Sequence, residues 1–373
     1  MATRTHRSSI ALCVLALSAC GWGCRSTGVL DPRLYAQPRV QAEAVRPGQD
    51  QVRATFLGTQ GFLIARGRDV VLTAPLYSNP PLDRLLDPNG VLTVDKALID
   101  RLLPNAWLQD LDAVIVGHGH FDHLMDVPYV LTTKAPATAK VYGSATMTHL
   151  VAPALQGRAV SVTGDVDYRM CPGLKTCDGP NHGGPGRPTP IVGDQAHGPA
   201  VRIHALCSEH SPQILRLKPK WGGCEAQDRT TLPTRAVEWK AGDTLAYLID
   251  FLQDGKPVFR VYYQDSPGEG TYAFVPDDLL SARPVDLALL CGGAFNQVDN
   301  NPQGILGNLK KPPHILLGHW DDFFVPQTKP LASLPGYDFR KLVAALQQVT
   351  GAGPGEGRYF FPAPGMSFVY PVK

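Results

Sequence analysis

An α/β fold built from two similar halves is predicted, and three observations carry the prediction. Apolar stretches of strand length alternate with segments whose apolar positions recur at helical spacing. Two hairpins share one pattern: Gly61-Phe62-Leu63-Ile64, a charged glycine turn at Arg66-Gly67-Arg68-Asp69 and Val70-Val71-Leu72-Thr73, then Thr244 to Phe251, a turn at Gln253-Asp254-Gly255-Lys256 and Pro257 to Tyr263. Each pair of strands is followed by an acidic or His-bearing loop, as expected of an internally duplicated architecture. The 373 residues allow one large domain or two smaller ones, and 18% charged with 44% hydrophobic residues is a globular composition.

The N-terminus stands apart from this pattern. Arg4, His6 and Arg7 precede an apolar run from Ile10 to Ala19, too short for a stable bilayer span, and residues 1–19 read as a signal peptide. The run ends Leu17-Ser18-Ala19-Cys20, which resembles the bacterial lipobox. That resemblance implies cleavage before Cys20, its lipidation, and a membrane partner reached through the acyl chains. Cys24 is a weaker alternative, since Gly21-Trp22-Gly23 lacks the apolar first position. The expected location is the bacterial cell envelope, facing the periplasm or exterior. Residues 20–50, rich in Pro, Arg, Gln and Gly, read as a tether, and residues 51–373 as the folded domain. The net charge of +2 has no long run of one sign, so nothing recommends nucleic acid as a partner.

Within the domain, Arg53 to Gly58 and the first hairpin open as strands. Residues 94–103 form an amphipathic helix, with Ala97, Leu98, Leu102 and Leu103 among charges. A strand at Lys140 to Tyr142 precedes a helix near Ala145 to Leu155, capped by Ser144. Residues 164–199 crowd Gly and Pro with Asp165, Asp167, His182 and His197, and read as a loop insertion, either substrate-covering or a mobile excursion. Val201 to Ser208, Val285 to Cys291 and His314 to Leu317 are further strands. Phe339 to Val349 is the last helix, closed by Gly351, and Tyr359 to Phe361 and Met366 to Tyr370 end the chain as strands. In an oxidising compartment Cys171, Cys177, Cys207 and Cys224 form disulfides. The expected pairs are the sequence neighbours Cys171–Cys177 and Cys207–Cys224, among three connectivities. Cys291 reads as a buried small hydrophobe.

The chemistry concentrates in Gly117-His118-Gly119-His120-Phe121-Asp122-His123, after the apolar run Ala113 to Val116. His118 and His120 are two apart, so on extended backbone they point the same way. Asp122 and His123 fall where the chain turns toward a helix-like segment from Leu124. Neutral imidazoles and a carboxylate converging at a strand end suit a borderline metal such as zinc.

This His-x-His-x-Asp-His pattern resembles the metal-binding loop of the metallo-β-lactamase-fold hydrolases. Leu57 to Ile64 resembles that family's opening hairpin, with Ala74 standing where the family often has Asp. The resemblance implies a four-layer αββα sandwich of two halves, with metals between the sheet edges. It implies two divalent metal ions, zinc first, with iron or manganese also fitting the ligands. His118, His120 and His210 would hold one metal, and Asp122, His123 and His319 the other. Asp265 would bridge, with Gln264 in place of the family's Gly before it. A hydroxide shared by the two metals would be the nucleophile, and Asp122 the residue that orients it or takes a proton. Gly117, Asp126 and Asp321 are candidates for support, Asp126 being equally readable as a solvated helix residue. His204 sits mid-strand and reads as structural, and His314 lies before its strand and is no ligand. Trp320, Phe323 and Phe324 line an apolar pocket or belong to the core.

Leu57 to Ile64, His118 to Pro128 and Gly318 to Trp320 look closer to the branch of N-acyl-phosphatidylethanolamine phospholipase D and ascorbate-6-phosphate lactonase than to the β-lactamases. That resemblance implies a small-molecule or lipid-like substrate cleaved at a phosphodiester, lactone or related ester bond. The rivals are a non-catalytic envelope lipoprotein that keeps the fold as a binding scaffold, and a β-lactam hydrolase.

Overall fold

Two seven-stranded sheets lie face to face in the computed structural model, which describes residues 46–103, 107–171, 173–177, 179–180, 183–191, 200–212 and 222–373. The expected signal peptide, Cys20, Cys24, most of the expected tether, His182 and His197 lie outside the described residues. Among the described residues no helix is long and apolar enough to cross a membrane.

The first sheet takes β1 (Gln51–Gly58), β2 (Gly61–Arg66), β3 (Asp69–Thr73), β4 (Leu111–Ile115), β5 (Lys140–Gly143) and β6 (Ala159–Ser161). A small hairpin follows, β7 (Lys175–Thr176) and β8 (Gly179–Pro180). The second sheet takes β9 (Thr189–Ile191), β10 (Val201–Cys207), β11 (Leu245–Gln253), β12 (Lys256–Gln264), β13 (Leu287–Cys291), β14 (His314–Gly318) and β15 (Tyr359–Phe360). β16 (Ser367–Pro371) returns to the first sheet beside β1.

The duplication is visible in the pairing. β1 to β3 run antiparallel, and β3 to β6 then add in parallel. β10 to β12 run antiparallel, and β12 to β15 add in parallel in the same way. β16 beside β1 matches β9 beside β10. The strand edges with neighbours on one side only are therefore short, at β6, β9, β15 and β16.

Strand alternation divides the apolar side chains between two layers. Val52, Ala54, Phe56, Ile64 and Ile115 of the first sheet meet Ile203, Tyr247, Ile249, Val261 and Leu289 of the second in one buried layer. Their neighbours Leu63, Leu72, Val114, Leu248, Leu290 and Leu317 face outward, under the helices. Among the described residues the α-helices are α1 (Leu82–Leu86), α2 (Lys96–Leu102), α3 (Phe121–Leu124), α4 (Val127–Thr133), α5 (Ala145–Val151), α6 (Asp277–Ala282), α7 (Gln303–Asn308) and α8 (Phe339–Thr350). The architecture is the expected four-layer αββα sandwich of two halves. Local chemistry sets the helix ends. Ser144 Oγ accepts the Met147 N–H at 3.3 Å, Asp95 accepts that of Leu98 at 2.9 Å, and Gly351 closes α8 at φ 71°.

Two expectations need correcting. The helix expected from Leu124 begins at Phe121 and breaks before α4, so Asp122 and His123 sit on a helical first turn. The disulfides are Cys171–Cys207 and Cys177–Cys224, not the sequence-neighbour pairs. The reason is tertiary. Asp167 forms a parallel bridge with Leu206, which lays the insertion along β10 and brings Cys171 against Cys207. β7 and its turn then reach the second loop at Cys224. Cys291 is buried and unpaired, as expected.

Candidate metal centre

The ends of strands from both sheets meet at one spot. Beyond β4 the chain bends at Gly117 and His118, and His120, extended at φ −65° and ψ 156°, leads directly into α3. His118 Nε2 lies 3.1 Å from His120 Nδ1. His210, just past β10, sets its ring 4.6 Å from that of His118 and 4.7 Å from that of His120. Asp265, the residue after β12, brings Oδ1 to 3.0 Å from His118 Nδ1 and Oδ2 to 3.8 Å from His123 Nδ1. His319, the residue after β14, brings Nε2 to 3.3 Å from Asp122 Oδ2, which is also 3.3 Å from His123 Nε2.

All seven residues singled out in the sequence therefore converge. Their donor atoms form two tight sets within 4.8 Å, His118 with His120 and His210, and His118 with Asp122 and His123. The first matches the expected triad. The second takes His118 where His319 was expected, because the His319 ring sits further out, edge-on to Phe323 at 4.7 Å.

The donor set fits divalent cations. His123 Nδ1 and His319 Nδ1 are buried without a hydrogen-bond partner among the described residues, a costly state unless something else is bound. His210 Nδ1–H donates to Ser211 O at 2.7 Å, which leaves Nε2 as its lone-pair nitrogen. Burial, reinforced by the neighbouring His123 and His210, pushes His118 well below the usual imidazole range. Burial and His120 hold His210 down to about 3. Both rings are thus neutral, as ligands must be. Burial opposes ionisation of Asp122, but His123 and His319 outweigh it and hold the carboxyl well below the ordinary range. Burial also opposes protonation of His123, and there Asp122 and Asp265 prevail and push it up.

The supporting residues are as specific as the donors. Gly117 N–H donates to Asp265 Oδ2 at 2.7 Å, and a Cβ at Gly117 would lie 2.2 Å from Asp265 Oδ1. Gly119 N–H donates to Ala241 O at 2.8 Å, and a Cβ there would lie 2.4 Å from Lys240 O. Tyr247 Oη donates to Val116 O at 3.0 Å, and Leu245 N–H to Gly117 O at 2.8 Å, so β11 clamps the loop from the other sheet. Ser211 N–H donates to Ser266 Oγ at 3.0 Å, joining the His210 and Asp265 turns. Asp321 accepts the Thr59 N–H at 3.0 Å, and Thr59 O in turn accepts the N–H of His319, whose φ is 55°.

Several sequence readings resolve here. Asp126 is fully buried and accepts the Tyr77 and Ser78 N–H groups at 2.7 and 3.0 Å, so it is no solvated helix residue. It fixes the segment after Ala74, whose own N–H goes to Ile115 O at 3.0 Å. Gln264 is accommodated where the family has Gly, with its carbonyl accepting from Gln60 Nε2 at 2.8 Å. Trp320 belongs to the core, donating to Pro362 O at 3.0 Å, whereas Phe323 flanks His319. His204 lies mid-strand, 3.8 Å from Asp250, away from the donor cluster. His314 packs on Tyr370 at a ring distance of 4.5 Å. Gly119, Thr59, Tyr247 and the Ser211–Ser266 pair were not singled out by sequence. The one local signal among them is Gly119, alternating with the two histidines.

No protein-family model matches the chain, and no curated protein matches it. Among solved structures it is similar to Igni18, described as a novel metallo hydrolase from the archaeon Ignicoccus hospitalis, at 15% identity and TM-score 0.46, over 87% of this chain and 100% of that one. It is similar to an isothiocyanate hydrolase from Delia radicum gut bacteria at 13% identity and TM-score 0.46, over 86% and 99%. It is also similar to CmlA, a diiron β-hydroxylase from Streptomyces venezuelae, at 13% identity and TM-score 0.42, over 88% of this chain and 55% of that one.

Proposed function

We propose that this chain is a metal-dependent hydrolase that binds two divalent cations, zinc first, and cleaves an ester, lactone or phosphodiester. The observation that carries the proposal is the convergence of five histidines and two aspartates from separate strand ends, with the His118 and His210 rings held neutral and the Asp122 carboxylate held ionised. The cations, when bound, supply charge for the substrate oxygen and acidify water toward neutral pH, as in zinc hydrolases. The chain's own residues do the rest. His118, His120 and His210 offer one three-nitrogen face. Asp122 and His123, with His319 Nε2 3.3 Å from Asp122, would offer the other, and Asp265 lies against both His118 and His123. On this reading Asp122, whose Oδ2 lies 3.3 Å from both His123 Nε2 and His319 Nε2, would orient the attacking water or take its proton. Gly117 and Gly119 leave room for the loop to sit against Asp265 and Lys240 with no side chain between.

The phrases Leu57 to Ile64, His118 to Pro128 and Gly318 to Trp320 favour the phospholipase D and lactonase branch over β-lactam hydrolysis. We also propose that the mature protein is lipid-anchored at Cys20 in a bacterial envelope. Two disulfides support an oxidising location. Screening the zinc-loaded protein against lactones, phosphodiesters, thioesters and β-lactams tests the reaction class. Chelator-sensitive turnover of lactones or phosphodiesters supports it, and turnover confined to β-lactams, or none, contradicts it.

A further inference from the structure

Two residues with left-handed backbone face each other across the two halves of the molecule. His319, at φ 55°, is the residue after β14, and Thr59, at φ 52°, sits in the turn between β1 and β2. For a β-branched residue such as Thr59 this region is an outlier, which persists only where the surroundings impose it. The His319 N–H donates to Thr59 O, so the two turns are joined at that bond. A left-handed residue turns the chain sharply out of its strand. From that turn His319 Nε2 reaches to 3.3 Å from Asp122 Oδ2.

Asp321 imposes the arrangement. Its side chain is buried, and its two carboxylate oxygens accept the Thr59 N–H at 3.2 and 3.0 Å. Thr59 is thus held at both main-chain polar groups, its N–H by Asp321 and its carbonyl by His319. Asp321 is itself fixed, because Leu334 N–H donates to Trp320 O at 2.7 Å and Asp322 N–H to Ala332 O at 2.8 Å. The other donors are held by different contacts. Tyr247 and Leu245 clamp the His118 loop, and the Ser211 carbonyl sets the His210 ring. Gln60 Nε2 separately ties the turn to Gln264 O at 2.8 Å, next to Asp265, and that tie does not involve Asp321.

We propose that Asp321 is a positioning residue for one metal position and not the other. Acting through Thr59, it holds His319 within reach of the cation at Asp122 and His123. The tight donor sets contain His118, His120, His210, Asp122 and His123 but not His319, so the His319 contribution is the one a loosened turn removes first. This deepens the hydrolase proposal and rests on it for the cations.

The test takes two readings on the full chain, with melting temperature recorded for every variant. Amide hydrogen exchange at Thr59 and His319 reads the brace itself, and competitive zinc titration reads the two metal positions. His319→Ala identifies the zinc that depends on that ring. Asp321→Ala speeds exchange at both amides and weakens that same zinc about 10–100-fold, the range for supporting groups, while the other zinc is unchanged. Asp321→Asn keeps a carbonyl oxygen for the Thr59 N–H and restores most of the affinity. A merely structural role would weaken both zincs together and would not be rescued in this way. Asp321→Ser leaves space for a water at the Thr59 N–H, so it keeps the test decisive where Asp321→Ala does not fold, and it gives the same one-zinc signature. Equal weakening of both zincs, unchanged affinities, or exchange at Thr59 and His319 that ignores these variants overturns the proposal. A folded wild type that takes up no zinc contradicts the hydrolase reading, and the ligand role of His319 with it. Two zincs in wild type without a selective loss contradict the positioning role alone.

Discussion

At the scale of single residues, the metal centre depends on contacts made by atoms that are missing. Gly117→Ala places a methyl inside the Asp265 carboxylate. Its expected effect is a loss of metal affinity of about 10–100-fold, the range typical of supporting positions, read by competitive titration against a zinc dye. Unchanged affinity would show that the Gly117–Asp265 contact is dispensable. His204 supplies a pH dependence away from the site. Burial pushes its imidazole down to about 4 despite the nearby Asp250. Below the usual value of 6.5 the unfolded chain therefore takes up a proton that the folded chain refuses. Stability is complete above that pH and is lost as pH falls from 6.5 toward 4, by at most about 1.4 kcal/mol per pH unit. Urea midpoints at pH 7 and pH 5 should converge in His204→Gln relative to wild type, and an unchanged gap would remove His204 as the cause. The loop from His118 to His123 is legible in sequence because ligand types at two-residue spacing leave a local record. Gly117 is legible only as a turn, since its real constraint comes from a carboxylate 148 positions away.

At the scale of elements, periodicity and caps carry most of the fold. β4, β10, β13, β14 and α8 fall within a residue or two of where apolar pattern, Ser144-like caps and closing glycines put them. The duplicated hairpins are readable for the same reason, because each half needs the same alternation to face the other sheet. What sequence does not record is how the insertion lies. Its disulfide partners follow from the Asp167–Leu206 bridge, a tertiary contact, and not from spacing. The bridges close loops of 36 and 47 residues, each stabilising by about 4 kcal/mol in the chain-entropy model. Reduction with a non-chelating phosphine should therefore lower the urea midpoint clearly. Metal content should fall much less than the midpoint does. Simultaneous loss of both zinc and fold at low reductant would instead make the bridges part of the centre's own support.

At the scale of the whole molecule, the centre belongs to neither half alone. The first half supplies His118, His120, Asp122 and His123, and the second supplies His210, Asp265 and His319. Metal binding, as proposed, would tie the two sheets together at their edges. Ligands that bind only the folded state raise its stability by mass action, so zinc at a hundredfold over its dissociation constant should add about 2.7 kcal/mol per site. The most direct test is metal analysis of the freshly purified chain beside His120→Ala, with both proteins checked for an intact fold by circular dichroism. The expected result is close to two metals per wild-type chain, a clear drop in His120→Ala, and loss of hydrolysis in parallel. A folded wild-type protein that retains no metal after zinc loading, or a His120→Ala variant with full metal and full activity, would contradict it.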